Sequence, residues 1–267
     1  MTDRGAASSW PAWLAELRAH ADRPPLRPRD ALCIGTARVG SIESELARRI
    51  VAGGLPLRLV AERWTLDQPV DDAMRQIAQW LRANGIGGAW RNELLAVDDA
   101  HGRRLGAIER SAVRPLGIAT RAVHLVGRSP RGDYWVQQRA FDKAVDPGLW
   151  DTTMGGLVAA GESIAATLAR ETDEEAGLAI DALDRLRPAG RITIRRPIAD
   201  GYMVEHIEIF EAVVPKALQP VNRDGEVERF ECIATDALIE RLRAGAFTLE
   251  AALILAAALQ RDGLLSG

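Results

Sequence analysis

Apolar residues recur at two periods along the chain. Trp10, Trp13, Leu14 and Leu17 are spaced as on one helix face and predict a first helix over 10–21. "ALCIG" (31–35) is a short apolar run and predicts a buried strand. "SIESELARRIVAGG" (41–54) predicts a helix opened by Ser41 and closed by Gly53 and Gly54. "PLRLVA" (56–61) predicts a strand. "PVDDAMRQIAQWLRANG" (69–85) predicts a helix with acid in its first turn and Asn84-Gly85 at its end. "NELLAVDD" (92–99) and "RLGAIERSAV" (104–113) predict a strand pair. Pro115 and Gly117 in "SAVRPLG" then mark a joint, which divides the chain into a small α/β domain, 1–115, and a second domain, 116–267.

The second domain opens with strand patterns, "TRAVHLVG" (120–127) and "YWVQQRA" (134–140), around the turn "RSPRGD". "WDTTM" (150–154) is strand-like, and "GLVAAGESIAATLARETDEEAGL" (156–178) holds a helix that stops at Gly177. "RITIRRP" and "YMVEHIEIFEAVV" predict further strands. "TDALIERLRAG" and "TLEAALILAAALQRDG" predict two terminal helices. Strands with helices before and after predict an α/β fold whose sheet is covered on both faces.

Composition narrows the function classes. The chain has 267 residues, 47% hydrophobic and 27% charged, with a net charge of −3. Residues 1–115 carry a net +3 and 116–267 a net −6, so no basic surplus marks a nucleic-acid partner. Cys33 and Cys232 stand far apart, which argues against a disulfide framework and excludes a cysteine-based metal site. The N-terminus is polar with no signal-type apolar core, and the most apolar stretch, 251–259, is too short to span a bilayer. The expectation is a cytoplasmic protein without a membrane or nucleic-acid partner; a homodimer is left open. Five of the seven tryptophans lie in the first domain, where they read as core, and no catalytic constellation accompanies them.

The helix before Gly177 poses a physical problem. Glu171, Asp173, Glu174 and Glu175 crowd its last turns, where the helix dipole favours cations and like charges three or four apart repel. At about 100° per residue, Glu171, Glu174 and Glu175 share one arc of roughly 100°, and Asp173 points away. Carboxylates converging on one face suit an oxygen-loving divalent ion such as Mg²⁺, Mn²⁺ or Ca²⁺.

Gly156, Glu162, Arg170, Glu171, Glu174, Glu175, Gly177 and Leu178 fit G-x5-E-x7-R-E-U-x-E-E-x-G-U, where U is a bulky apolar residue. This is the Nudix box, and the chain resembles a Nudix hydrolase. Thr172 departs from the pattern, standing where the family has Ile, Leu or Val. The resemblance implies a Nudix α/β/α sandwich with a mixed sheet over 116–267, preceded by the small α/β domain. It implies a metal site of Glu171, Glu174, Glu175 and the Gly155 carbonyl, holding Mg²⁺ or Mn²⁺. It further implies a Glu162–Arg170 ion pair that orients loop and helix, and hydrolysis of a small-molecule diphosphate by metal-activated water. Glu226 in "NRDGEVERFE" (222–231) is a candidate general base or extra ligand, with Glu228 a weaker one. Arg139 and Lys143 are candidates to meet phosphate. His124 and His206 read as core or face residues of strands.

The N-terminal domain together with "LWDTTMGGLVAAGES" resembles one Nudix branch, related to a segment fused to thiamine pyrophosphokinase in yeasts. That branch implies thiamine diphosphate or its damaged analogues as substrate. Nucleotide sugars, dinucleotides or damaged nucleotides are the alternative, and a non-catalytic ligand sensor is a third reading.

Overall fold

The computed structural model describes residues 11–265, so Trp10 of the first expected helix lies outside the described residues. Helix α1 (Ala12–Ala21) is followed by strands β1 (Arg29–Ile34) and β2 (Ala37–Glu43), helix α2 (Ser44–Ala52), strands β3 (Leu57–Val60) and β4 (Arg63–Leu66), and helix α3 (Val70–Ala83). The strands form a four-stranded sheet in the order β2-β1-β4-β3, with β1 and β4 parallel. Strands β5 (Leu94–Asp98) and β6 (Arg104–Glu109) form a separate antiparallel ribbon. α3 buries Met74, Ile77 and Leu81 on one face, and these join Leu32, Ile42, Ile50, Leu95 and Ile108 in one core.

Residues 41–43, expected to open a helix, instead complete β2, and α2 starts at Ser44. The contact that decides this is remote in sequence. Ser41 N–H donates to the Leu116 carbonyl at 3.0 Å, and a Cβ on Gly40 would run into that same carbonyl. The partner strands β2 and β4 carry no strong apolar alternation of their own and were not read from the sequence.

The second half builds a mixed sheet from β7 (Thr120–Arg128), β8 (Tyr134–Arg139), β9 (Trp150–Asp151), β10 (Met154–Leu157), β11 (Asp184–Ile198), β12 (Gly201–Val213) and β13 (Val227–Ile233). Its order is β11-β12-β7-β8-β13, with β12 and β7 parallel. β7 and β8 pair only at Gly127↔Trp135 and Arg128↔Tyr134. Beyond that point they diverge, and β10 pairs with β7 while β9 pairs with β8. This fork delivers the chain into helix α4 (Ile164–Ala176). β13 occupies part of the segment that holds Glu226 and Glu228: Glu226 immediately precedes the strand and Glu228 lies on it.

Along β7, Val123 and Leu125 face the α4 side, whereas Ala122 and Val126 join the core under helix α6 (Leu249–Arg261). Helix α5 (Thr235–Arg243) adds Leu238 and Leu242 to the latter core. The sheet is therefore covered on both faces, as the α/β/α reading expects. One element crosses the joint: Leu14 and Ala21 of α1 pack into the α6-side core, not into the N-terminal core. Among the described residues no helix is long and apolar enough to cross a membrane.

Candidate active site

Helix α4 is bounded by local chemistry. Ser163 caps its start, accepting from Ala166 N–H at 3.1 Å. Gly177 ends it at φ 62°, a left-handed turn that glycine adopts freely, and its N–H donates to the Asp173 carbonyl. Val221 N–H donates to the Ala176 carbonyl at 2.8 Å, docking the 215–226 segment on the helix end. Thr172 is fully buried, and its hydroxyl donates to the Leu168 carbonyl at 2.6 Å, so the off-pattern polar group is satisfied inside the helix.

The excess acid at this helix end is only partly neutralised. Arg170 grips both oxygens of Glu162 at 2.7 and 2.8 Å, and also reaches Glu174 at 2.8 Å and Glu171 at 3.1 Å. The Arg170 hydrogen bonds hold the Glu162 carboxyl at about 2, so it stays ionised. Among the described residues, Glu175 has no such cation. It is 5% exposed and accepts only neutral donors, Gln137 Nε2 at 3.0 Å and Gly155 N–H at 3.1 Å, both on Oε2. Burial, with the charges of Glu171 and Asp151, pushes its carboxyl up to about 8. Burial likewise pushes Glu171 up to about 7 against the pull of Arg170.

The two glycines of β10 make this crowding sterically feasible. Adjacent strand residues project to opposite faces. A Cβ on Gly156 would collide with the Glu171 carboxyl, and one on Gly155 with the His124 ring. We therefore expect Gly156→Ala to displace the Glu171 carboxylate while leaving the fold intact. A misplacement of that kind lowers turnover by about 10²-fold. Steady-state kinetics beside a circular dichroism spectrum checks this, and full turnover in Gly156→Ala would show that Glu171 has room elsewhere.

The arrangement suits a hard divalent cation. Glu171 and Glu175 are carboxyls withdrawn from water, and among the described residues Glu175 meets no cation, so a bound ion would offset the burial of their ionised form. Among the described residues no three acidic, His or Cys side chains already converge as a closed ligand set. Glu174 is turned to Arg170 and half exposed. Glu171, Glu175 and the adjacent Gly155 backbone are the groups that fit.

The other expected residues are placed as follows. Glu226, at the start of β13, pairs with Lys143. Burial raises its carboxyl, but Lys143, Arg139 and Arg110 outweigh that and hold it below its ordinary value. Its charge also adds a small upward push on the Glu171 carboxyl. Arg139 donates to the Val145 carbonyl at 3.0 Å and lies 3.5 Å from Asp151. Glu228 is exposed on β13 and is not brought in. His124 hydrogen-bonds Thr152 at 2.8 Å, and His206 bonds Thr193 at 2.9 Å across the β11–β12 hairpin. Gln137 and Arg110 touch or face the site and were missed. A buried polar residue in a strand and an arginine beside a predicted joint give no local signal of what they will meet.

The NUDIX domain matches residues 119–253, just over half of the chain. The chain belongs to the NUDIX family. An uncharacterised Nudix hydrolase of Pseudomonas aeruginosa is 40% identical over 105 residues, covering 39% of this chain and 60% of that protein. The chloroplastic Nudix hydrolase 24 of Arabidopsis thaliana is 27% identical over 207 residues, covering 75% of this chain and 57% of its own length. The latter alignment is longer than the NUDIX match and so extends beyond it. The chain thus spans 60% and 57% of the length of these relatives. A solved structure from Deinococcus radiodurans shares the NUDIX-like fold, with a TM-score of 0.50 at 24% identity, covering 61% of this chain and 98% of that one.

Proposed function

We propose that the protein is a divalent-cation-dependent diphosphatase acting on a small organic diphosphate, with thiamine diphosphate or its damaged analogues as the substrate class. The observation that carries the reading is the pair of buried carboxylates, Glu171 and Glu175, set against Gly155-Gly156 and braced by the Arg170–Glu162 clamp. A bound Mg²⁺ or Mn²⁺ would polarise a phosphoryl oxygen and lower the pKa of water. Glu171, Glu175 and the Gly155 carbonyl would hold it, with Glu174 contributing once released from Arg170. Arg170 keeps α4 and the 157–163 loop in one geometry. Lys143 is the cation nearest Glu226. A substrate phosphate that draws Lys143 toward itself would free the Glu226 carboxylate to accept a proton.

Two features support a substrate wall built by the N-terminal half. The β5–β6 ribbon is docked on the loop that leads into α4: Ala160 N–H donates to the Leu94 carbonyl at 2.8 Å, and Arg104 donates to the Ala160 carbonyl. Arg110, which follows the ribbon, presents its charge to Glu226. The thiamine reading rests on this N-terminal α/β half preceding the NUDIX region, as in the branch the sequence resembles.

Assaying the full-length protein with Mg²⁺ against thiamine diphosphate, its oxidised analogues, nucleotide sugars and dinucleotides tests the proposal. The expected result is phosphate or monophosphate release from the thiamine group that stops on chelation. Preference for a nucleotide would replace the substrate class. Turnover that survives exhaustive chelation would remove the cation, and ligand binding without turnover on any compound would make the protein a sensor.

A further inference from the structure

Gln137 lies in β8, opposite Asp151 of β9 and Phe230 of β13. It is 2% exposed. An amide at that depth is tolerated when both its ends find partners. Its Nε2 does, donating to Glu175 Oε2 at 3.0 Å. Gly155 N–H donates to the same oxygen. With two donors on Oε2, the Glu175 oxygen left to meet a cation is Oε1.

The other end of the amide is different. Gln137 Oε1 is buried, and no donor among the described residues reaches it. Reversing the amide would not help an ionised Glu175, because it would set one oxygen against another. The amide therefore stands in the orientation that a charged, cation-bound Glu175 requires, with its acceptor left without a partner beside the carboxylate. Mg²⁺ characteristically keeps several of its waters when bound to protein carboxylates, and each such water carries hydrogens that need acceptors.

We propose that Gln137 is a positioning residue of the cation site: its Nε2 holds Glu175 so that Oε1 faces the cation, and its own Oε1 accepts a hydrogen bond from a water of the cation's hydration shell. This rests on the cation reading given above. Groups behind a metal ligand commonly change affinity or activity 10- to 100-fold when removed. Gln137 fills that place from a strand outside the acidic helix.

The test uses Mn²⁺ alone as probe, titrated into the full-length protein and followed by electron paramagnetic resonance, with turnover measured separately. Gln137→Met nearly keeps the volume and removes both hydrogen bonds. It should weaken Mn²⁺ binding by roughly 10- to 100-fold and lower kcat, with KM for the diphosphate changed little. Gln137→Asn keeps an amide but stops one methylene short. It should show the same loss and provides the answer if the methionine variant does not fold. A folded variant that binds Mn²⁺ as tightly as wild type would overturn the proposal and leave Gln137 Oε1 beside an ordinary buried water. Glu171→Gln separates the two readings. If it too binds Mn²⁺ unchanged, the cation site itself is wrong and the role of Gln137 goes with it. If it loses Mn²⁺ while the Gln137 variants do not, only the role of Gln137 fails.

Discussion

Glu175→Gln is expected to abolish the proposed cation-dependent hydrolysis while preserving the fold. Glutamine has nearly the shape of glutamate, and its side-chain oxygen can still accept from both Gln137 Nε2 and Gly155 N–H, the two donors that fix Glu175 in place. What the substitution removes is the negative charge, and with it one of the two carboxylates buried beside β10. The expected loss in kcat/KM exceeds about 10²-fold, the upper end for removing a group that merely supports a ligand. Glu174→Gln should lose less, because Glu174 is half exposed and turned to Arg170. Turnover in Glu175→Gln within about tenfold of wild type would take Glu175 out of the cation site.

The same variant should be more stable than wild type in chelator, by a margin that grows with pH. The Glu175 carboxyl sits at about 8 in the folded protein, raised by burial from its ordinary 4.5. A carboxyl with a raised folded value binds its proton more tightly in the folded state. Its contribution to stability is complete below about pH 4.5 and is lost as pH rises through 8. At about 1.4 kcal/mol per unit, the loss amounts to a few kcal/mol by pH 8.5. Buried His124 and half-buried His206 work in the opposite sense, since burial lowers both and stability is lost as pH falls from about 6.5 through their lowered folded values. Both proteins share those histidines, so the difference in Tm between Glu175→Gln and wild type isolates the carboxyl. That difference should be small at pH 5 and large at pH 8.5 in chelator. In saturating Mg²⁺ it should shrink or reverse, because the cation stabilises the protein that binds it. A difference in chelator that stays flat across this range would mean that Glu175 is not a buried, uncompensated charge.

How much of this was legible in the sequence follows the range of the forces involved. Helix α4 was legible because its signals are local: Gly177 turns it off, and the carboxylates share a face through helical spacing alone. α3 and the β5–β6 ribbon were legible for the same reason, since their periodicity lies within a few residues. The excess of acid over local counter-charge could be read directly from the sequence, and it pointed to a candidate site. The start of α2 could not. Residues 41–43 have helical composition, but the Leu116 carbonyl, some seventy residues on, captures Ser41 N–H and keeps them in the sheet. Nor could the packing of α1 onto α6, because Leu14 and Ala21 are apolar in any context and only the folded chain selects which core they enter. The division of labour between Gly155 and Gly156, one backed by His124 and the other by Glu171, depends on the fork between β7 and β8. Gln137 is the clearest case. As a residue in a strand pattern it is unremarkable, and it reaches the site only because β8 carries its amide to Glu175, thirty-eight positions away. Sequence by itself determined the caps, the periodic faces and the charge that needs a partner, because those are short-range properties of the chain. Tertiary structure alone decided which buried donors and which glycine face meet that charge, because each depends on contacts that exist only once distant strands have paired.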